Sequence, residues 1–414
     1  MKKDIFDKME ILADSAKYDV SCSSSGSDNN YKTVQIGATH KSGICHTFTA
    51  DGRCVSLLKV LLTNFCIYDC AYCINKKSND IPRAAFAPRE LADITINFYK
   101  RNYIEGLFLS SGIIDSEDHT SNLILRALKI LRYEYHFNGY IHVKLIPGTD
   151  EKIIEQIVAL ANRVSSNIEL PSDKSLKLLA PNKTRESVLQ PLKYARDISL
   201  EKDTKPIGMS TQLIVGATPE SDKDILKLSS VLYDKALLKR VYYSAYIPVN
   251  DDKNLPAIVT KPPLLREHRL YQADWLLRFY DFSWDEIVDD RNPNLDEDVD
   301  PKTFWALNNL QYFPMEINKA SKDELLRIPG IGVRGVFKIL KARRFKSLDF
   351  DDLVKLKISL KRARYFITCK GKYQREVPLE QDRIKTALLT SKINTKVNQP
   401  SLFDLQYSSI TGEL

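Results

Sequence analysis

The chain has 414 residues, 43% hydrophobic and 28% charged, with a formal net charge of +8. This suits one large domain plus a smaller one. There is no run of about 18 apolar residues, which argues against a membrane span, and seven cysteines, an odd count, fit a reducing compartment better than a disulfide framework.

The start, Met1-Lys-Lys-Asp, is charged and lacks an apolar signal core, so a cytoplasmic protein is expected. Residues 1–54 read as an N-terminal extension, with a helix over 4–16 and a Ser/Gly/Asn loop over 21–30. A repeated rhythm follows. Short apolar strands are expected over 58–62, 106–110, 141–146, 164–170, 211–215 and 241–247. Between and after them, residues 88–101, 122–135, 151–162, 221–235 and 264–279 have apolar side chains at helical spacing. Residues 184–197 are a weaker helix because Pro191 interrupts them. Strands alternating with helices predict an α/β fold with a curved parallel sheet, a partial (βα)6 barrel over 55–284. In such barrels the chemistry sits at the C-terminal ends of the strands.

Just past the first expected strand stand three cysteines, Cys66-x3-Cys70-x2-Cys73. Thiolates at close spacing suit an iron–sulfur cluster, and three of them leave one iron of a cubane open. The alternative is zinc, which would need a fourth ligand from Cys22, Cys45, Cys54, Cys369 or a histidine. Cys22, Cys45 and Cys54 read either as ligands of an auxiliary cluster or as free thiols. His40, His46, His142 and His268 read as packed or hydrogen-bonded side chains. Lys144, Arg266, Glu267 and His268 are candidate substrate contacts.

The acidic stretch opening the interval 285–315 reads as a solvated linker. From 319 to 377 the chain carries 17 Lys/Arg against 6 Asp/Glu, a balance of +11 that leaves −3 for the remainder. One short segment holds all the excess positive charge, which points to a polyanionic partner. Within it Ser321-Lys-Asp-Glu324 is a capping-box pattern, Pro329-Gly-Ile-Gly332 forces a turn, and Val333 opens another helix. A second, weaker helical pair is expected over 350–366. The tail from 378 to 414 is polar, without a clear core.

Residues 64–73 resemble the signature loop of the radical S-adenosylmethionine (SAM) enzymes, with Tyr72 as the aromatic before the third cysteine. The resemblance implies a [4Fe-4S] cluster on Cys66, Cys70 and Cys73, with SAM chelated at its open iron and cleaved by one electron to a 5′-deoxyadenosyl radical. It also implies a reductant such as flavodoxin or ferredoxin. Carried over position by position, it gives SAM contacts at Tyr72, at Ser111 and Gly112 after the second strand, at Glu169, and at Gly216 in a glycine motif after the fifth strand. The Glu of the family's second-strand motif is missing here.

Residues 316–377 resemble the helix-hairpin-helix module, which grips DNA backbones. This implies DNA contacts at Gly330, Gly332, Arg334, Lys338 and Lys341, in a small all-α domain. Gln399-Pro-Ser-Leu-Phe403 looks like a peptide that docks on the DNA polymerase sliding clamp through Gln399, Leu402 and Phe403. The phrases at 43–46, 51–54, 242–249 and 263–271 resemble a radical SAM subgroup associated with DNA modification or repair. The expected function is therefore radical chemistry on DNA. The alternatives are a tRNA- or rRNA-modifying radical SAM enzyme, and a non-catalytic DNA-binding iron–sulfur adaptor.

Overall fold

The computed structural model describes residues 4–16, 43–48, 54–201, 207–374 and 377–398. Cys22, His40, Gln399, Leu402 and Phe403 lie outside the described residues. The chain divides into two compact units. One holds the described residues up to Glu220 together with Val231–Glu267; the other holds Ser221–Ser230 and the described residues from His268 onward.

The first unit is built on a seven-stranded sheet whose spatial order follows the sequence. An edge strand β1 (Ile44–Phe48) runs antiparallel to β2 (Cys54–Leu61). The next five strands, β3 (Gly106–Ser110), β4 (Tyr140–Lys144), β5 (Arg163–Ser165), β6 (Gly208–Val215) and β7 (Arg240–Ala245), continue parallel to β2. Six parallel strands in sequential order form the curled half-barrel expected from the strand–helix rhythm.

Registers Val60↔Leu109, Leu109↔Val143, Val143↔Val164 and Val164↔Met209 place one set of side chains on the outer face. There Val60, Leu109, Val143 and Val164 are fully buried. Each such side chain contributes about 2 kcal/mol on leaving water. The alternate positions face inward, and several are polar: Lys59, Ser110, Lys144, Gln212 and Ser244 all line one cavity. The half-barrel therefore has an apolar outside, under the helices, and a polar inside.

The helices of this unit are α1 (Ile5–Ala16), α2 (Pro88–Lys100), α3 (Glu117–Lys129), α4 (Glu151–Leu160), α5 (Asp173–Leu179) and α6 (Arg185–Leu200). Their starts are capped as the sequence dictates. The Glu90 carboxylate accepts the Ala87 N–H at 2.8 Å, the Ser116 hydroxyl accepts from His119 N at 3.1 Å, and Thr184 accepts from Ser187 N at 3.1 Å. Pro191 lies within the second turn of α6 and does not end it.

Several expectations are corrected. The fourth barrel strand covers only Arg163–Ser165, because the chain then leaves the sheet and returns for a single bridge, Glu169↔Leu213. The N-terminal extension contributes β1 to the sheet. The acidic stretch after 285 is folded rather than a solvated linker. It includes α9 (Trp284–Ile287) and α10 (Pro301–Asn308), and Ile287, Val288, Leu295 and Val299 are buried. Its charges are paired: Glu286 with Arg327 at 2.9 Å, Asp296 with Lys385 at 2.7 Å, and Asp300 with Arg362 at 2.8 Å. The start of the tail forms α15 (Gln381–Asn398), which buries Ile384 and Leu388.

Helices α7 (Asp222–Ala236) and α8 (Leu264–Phe279) contribute residues to both units. The second unit continues with α11 (Lys322–Arg327), α12 (Val333–Ala342), α13 (Phe350–Lys355) and α14 (Leu360–Ala363). It is not purely helical. A three-stranded sheet joins β8 (Met315–Glu316), β9 (Ile367–Cys369) and β10 (Lys372–Tyr373), with β9 in the middle. Among the described residues no helix is long and apolar enough to cross a membrane.

Candidate active site and candidate nucleic-acid interface

The cysteine loop leaves the C-terminal end of β2 and rejoins it where Phe86 N–H donates to Leu62 O at 2.9 Å. Few of its backbone groups pair in regular structure, so side chains do that work. Asn64 donates to Pro82 O at 2.8 Å and accepts Ala84 N–H at 2.7 Å. The Arg83 guanidinium donates to the carbonyls of Asn64, Asn75, Lys76 and Asn79. From beyond β7, the buried Asn250 amide donates to Ala71 O at 2.7 Å and Cys73 O at 2.9 Å, and its oxygen accepts from Asn79 at 2.7 Å. Asp69 accepts from the Ser78 N–H and hydroxyl, which holds its carboxyl below the usual range.

Cys66, Cys70 and Cys73 line one cavity of about 340 Å³, together with inner-face residues of β2, β3, β4, β6 and β7. Burial raises the Cys70 thiol above its ordinary pKa. Burial and the neighbouring Cys70 push Cys73 to about 12. Both therefore carry protons at neutral pH until a metal displaces them. Among the described residues no three His, Cys, Asp or Glu side chains form a group that could hold a metal ion. The three thiols stand on one short loop and share this cavity, the donor set that an iron–sulfur cluster takes.

Four further polar atoms of the cavity wall are buried without a partner: Asn75 Oδ1, Ser111 Oγ, Asn167 Oδ1 and the Tyr246 hydroxyl. Buried polar atoms left unpaired cost about 1–3 kcal/mol each, so these mark a place for a polar ligand. Beside them Glu169 is held in an unusual way. Its φ of +65° is left-handed, and its backbone is pinned to β6 by Glu169 N–H to Gln212 O (3.0 Å) and Ile214 N–H to Glu169 O (2.7 Å). Its carboxylate accepts from Lys183 Nζ at 3.1 Å and Asn167 Nδ2 at 3.3 Å. Such a conformation in a non-glycine residue persists only where its surroundings enforce it. Burial opposes the Lys183 charge, but the Glu169 carboxylate beside it favours the charge, and its pKa is raised. Lys183 also lies 3.3 Å from the Tyr72 hydroxyl, whose own ionisation burial and Glu169 suppress.

Residues 60–232 match the family model of the Radical SAM superfamily. The chain carries a radical SAM domain. Radical SAM enzymes bind a [4Fe-4S] cluster and SAM, and the three thiols with the unpartnered polar atoms of this cavity fit that pair. Similar solved structures include HydG, a maturase of the [FeFe]-hydrogenase, at 12% identity and TM-score 0.42, over 52% of this chain and 48% of that one. Methylornithine synthase (PylB) is 14% identical at TM-score 0.42, over 52% of this chain and 60% of that one. The cobalamin-dependent S-adenosylmethionine radical enzyme OxsB is 11% identical at TM-score 0.34, over 86% and 61%. The chain thus spans about half the length of HydG. No curated protein matches the chain.

In the radical SAM domain, Tyr72, Ser111, Gly112 and Glu169 line the same cavity as the cysteines. A Cβ on Gly112 would meet Phe65 O at 2.3 Å, so this glycine lets β3 approach the cysteine loop. Gly216 is not among the lining residues; its φ is +83° and a Cβ there would meet Pro263 at 2.6 Å. Lys144 and Glu267 line the cavity, while Arg266 and His268 do not. His142 is buried against Ser165 at 2.9 Å, and His46 is exposed. Cys45 and Cys54 pair with Leu57 and Phe48 across the β1–β2 ladder. That register sends their side chains to opposite faces, Cys45 buried and Cys54 exposed, so they cannot share one cluster. Sequence reasoning missed Lys183, Asn167, Asn75, Arg83 and Asn250.

In the second unit, Gly330 (φ +83°) and Gly332 form the turn between α11 and α12. The turn is braced from within the unit. The buried Lys302 donates to Ile331 O at 2.7 Å. Arg334, Lys338 and Lys341 are exposed on α12, with Lys338 also donating to Leu356 O at 3.0 Å.

Proposed function

We propose that the chain is a radical SAM enzyme that modifies or repairs DNA. The observation that carries the radical reading is the meeting of three thiols and four unpartnered polar atoms in one cavity at the C-terminal ends of the strands. When bound, the cluster and SAM supply a 5′-deoxyadenosyl radical able to take hydrogen from an unactivated carbon. The chain's own residues do the rest. Cys66, Cys70 and Cys73 ligate iron. Asn75, Ser111, Asn167 and Glu169 orient SAM. Arg83 and Asn250 keep the loop in shape. DNA as substrate is supported by the +11 balance confined to 319–377 and by the α11–turn–α12 unit it contains. A sliding-clamp contact through Gln399, Leu402 and Phe403 is part of the same proposal.

The test is anaerobic reconstitution with reductant and SAM, with 5′-deoxyadenosine assayed in the presence of damaged DNA, intact DNA or tRNA. DNA should stimulate turnover. Stimulation by tRNA alone would overturn the DNA assignment, and no SAM cleavage under any condition would favour a structural cluster.

A further inference from the structure

We infer that the exposed face of α12 binds an unpaired DNA strand, with Phe337 as a stacking platform for a base. The inference rests on the proposed DNA reading and adds the state of the strand. Helix α12 buries Val336 and Ile339. Arg334, Phe337, Lys338 and Lys341 recur at i, i+3, i+4 and i+7, so they form one stripe, and all four are exposed. Phe337 is 57% exposed, and beyond the helix Phe345 is 84% exposed between the exposed Arg344 and Lys346.

Cations alternating with open aromatic rings discriminate among partners. An apolar protein surface would cover the rings but desolvate the cations, at a cost no ring repays. Duplex DNA would satisfy the cations but hides its bases, leaving the rings unused. An unpaired strand satisfies both, because its phosphates meet the cations while each base offers a π face.

The experiment is fluorescence anisotropy on the full chain. The probes are a labelled single-stranded DNA, the same sequence as a blunt duplex, and the same sequence as RNA. Single-stranded DNA should bind tighter than the duplex. Phe337→Ala should weaken single-strand binding roughly tenfold, the loss expected for one stacked base, and leave duplex binding unchanged. Phe337→Trp should restore it, and Phe345→Ala gives a second exposed position. Equal affinity for duplex, or single-strand binding indifferent to both Ala variants, would overturn the unpaired-strand inference while DNA binding stood. No binding to any probe would overturn the DNA reading itself, and tighter binding of RNA would overturn the choice of DNA.

Discussion

Asn250→Ala should empty the cluster site without unfolding the protein. Asn250 is 6% exposed and lies far along the chain from the cysteines, yet its amide clamps Ala71 O and Cys73 O, and its oxygen receives Asn79. Each of these three hydrogen bonds contributes about 1 kcal/mol net, and the two carbonyls left behind lose a buried donor. Asn79 keeps Ile74 O as an acceptor, so its amide is not wholly stranded. Together the change should destabilise the ligand-ready loop by about 3 kcal/mol, which is roughly a hundredfold in cluster affinity. The assay is iron and sulfide retained by the reconstituted protein during a chelator challenge, read beside the thermal midpoint. Retention equal to that of the parent protein would refute the idea that Asn250 preorganises the loop. A collapse of the far-ultraviolet circular dichroism signal would mean that the residue supports the whole unit instead.

Lys183→Met should strand the buried Glu169 carboxylate and cost about 3 kcal/mol in chemical denaturation. Adding Glu169→Gln should recover most of that loss, and strictly additive effects would show that the two side chains are not coupled. Lys302 is buried, and its pKa is pushed down to about 7, mainly by burial. Between about pH 7 and the ordinary lysine value the unfolded chain binds a proton that the folded chain does not, so its contribution to stability should rise with pH across that window. Lys302→Met should flatten the slope; an unchanged difference in pH dependence would contradict the burial of a neutral amine.

Much of the radical SAM domain was legible because its signals are local. The cysteine spacing is contained in eight residues, and strand–helix alternation shows in the periodicity of apolar side chains. Glu169 was placed near the site, but as the end of a strand. Its left-handed backbone depends on β6, and nothing in its own neighbourhood announces that. Lys183 lies in the short segment between α5 and α6, and Arg83 and Asn250 act on carbonyls brought to them by the fold, so no motif marks them. The polar inner face of the half-barrel was hidden because runs such as 141–146 mix outward and inward positions. The acidic stretch was misread for a different reason. Charge density reads as solvation only when its partners are absent, and Arg327, Arg362 and Lys385 lie far along the sequence from Glu286, Asp300 and Asp296. In α15 only a few apolar side chains, Ile384 and Leu388 among them, tie the helix down, too few to stand out from a polar tail.

The most direct measurement is iron and acid-labile sulfide content, with low-temperature paramagnetic resonance of the reduced protein with and without SAM. Coordination by Cys66, Cys70 and Cys73 predicts about four iron and four sulfide per chain, a reduced signal that changes when SAM is added, and loss of both in Cys70→Ala. Zinc in place of iron, absent sulfide, or a signal indifferent to SAM would contradict it.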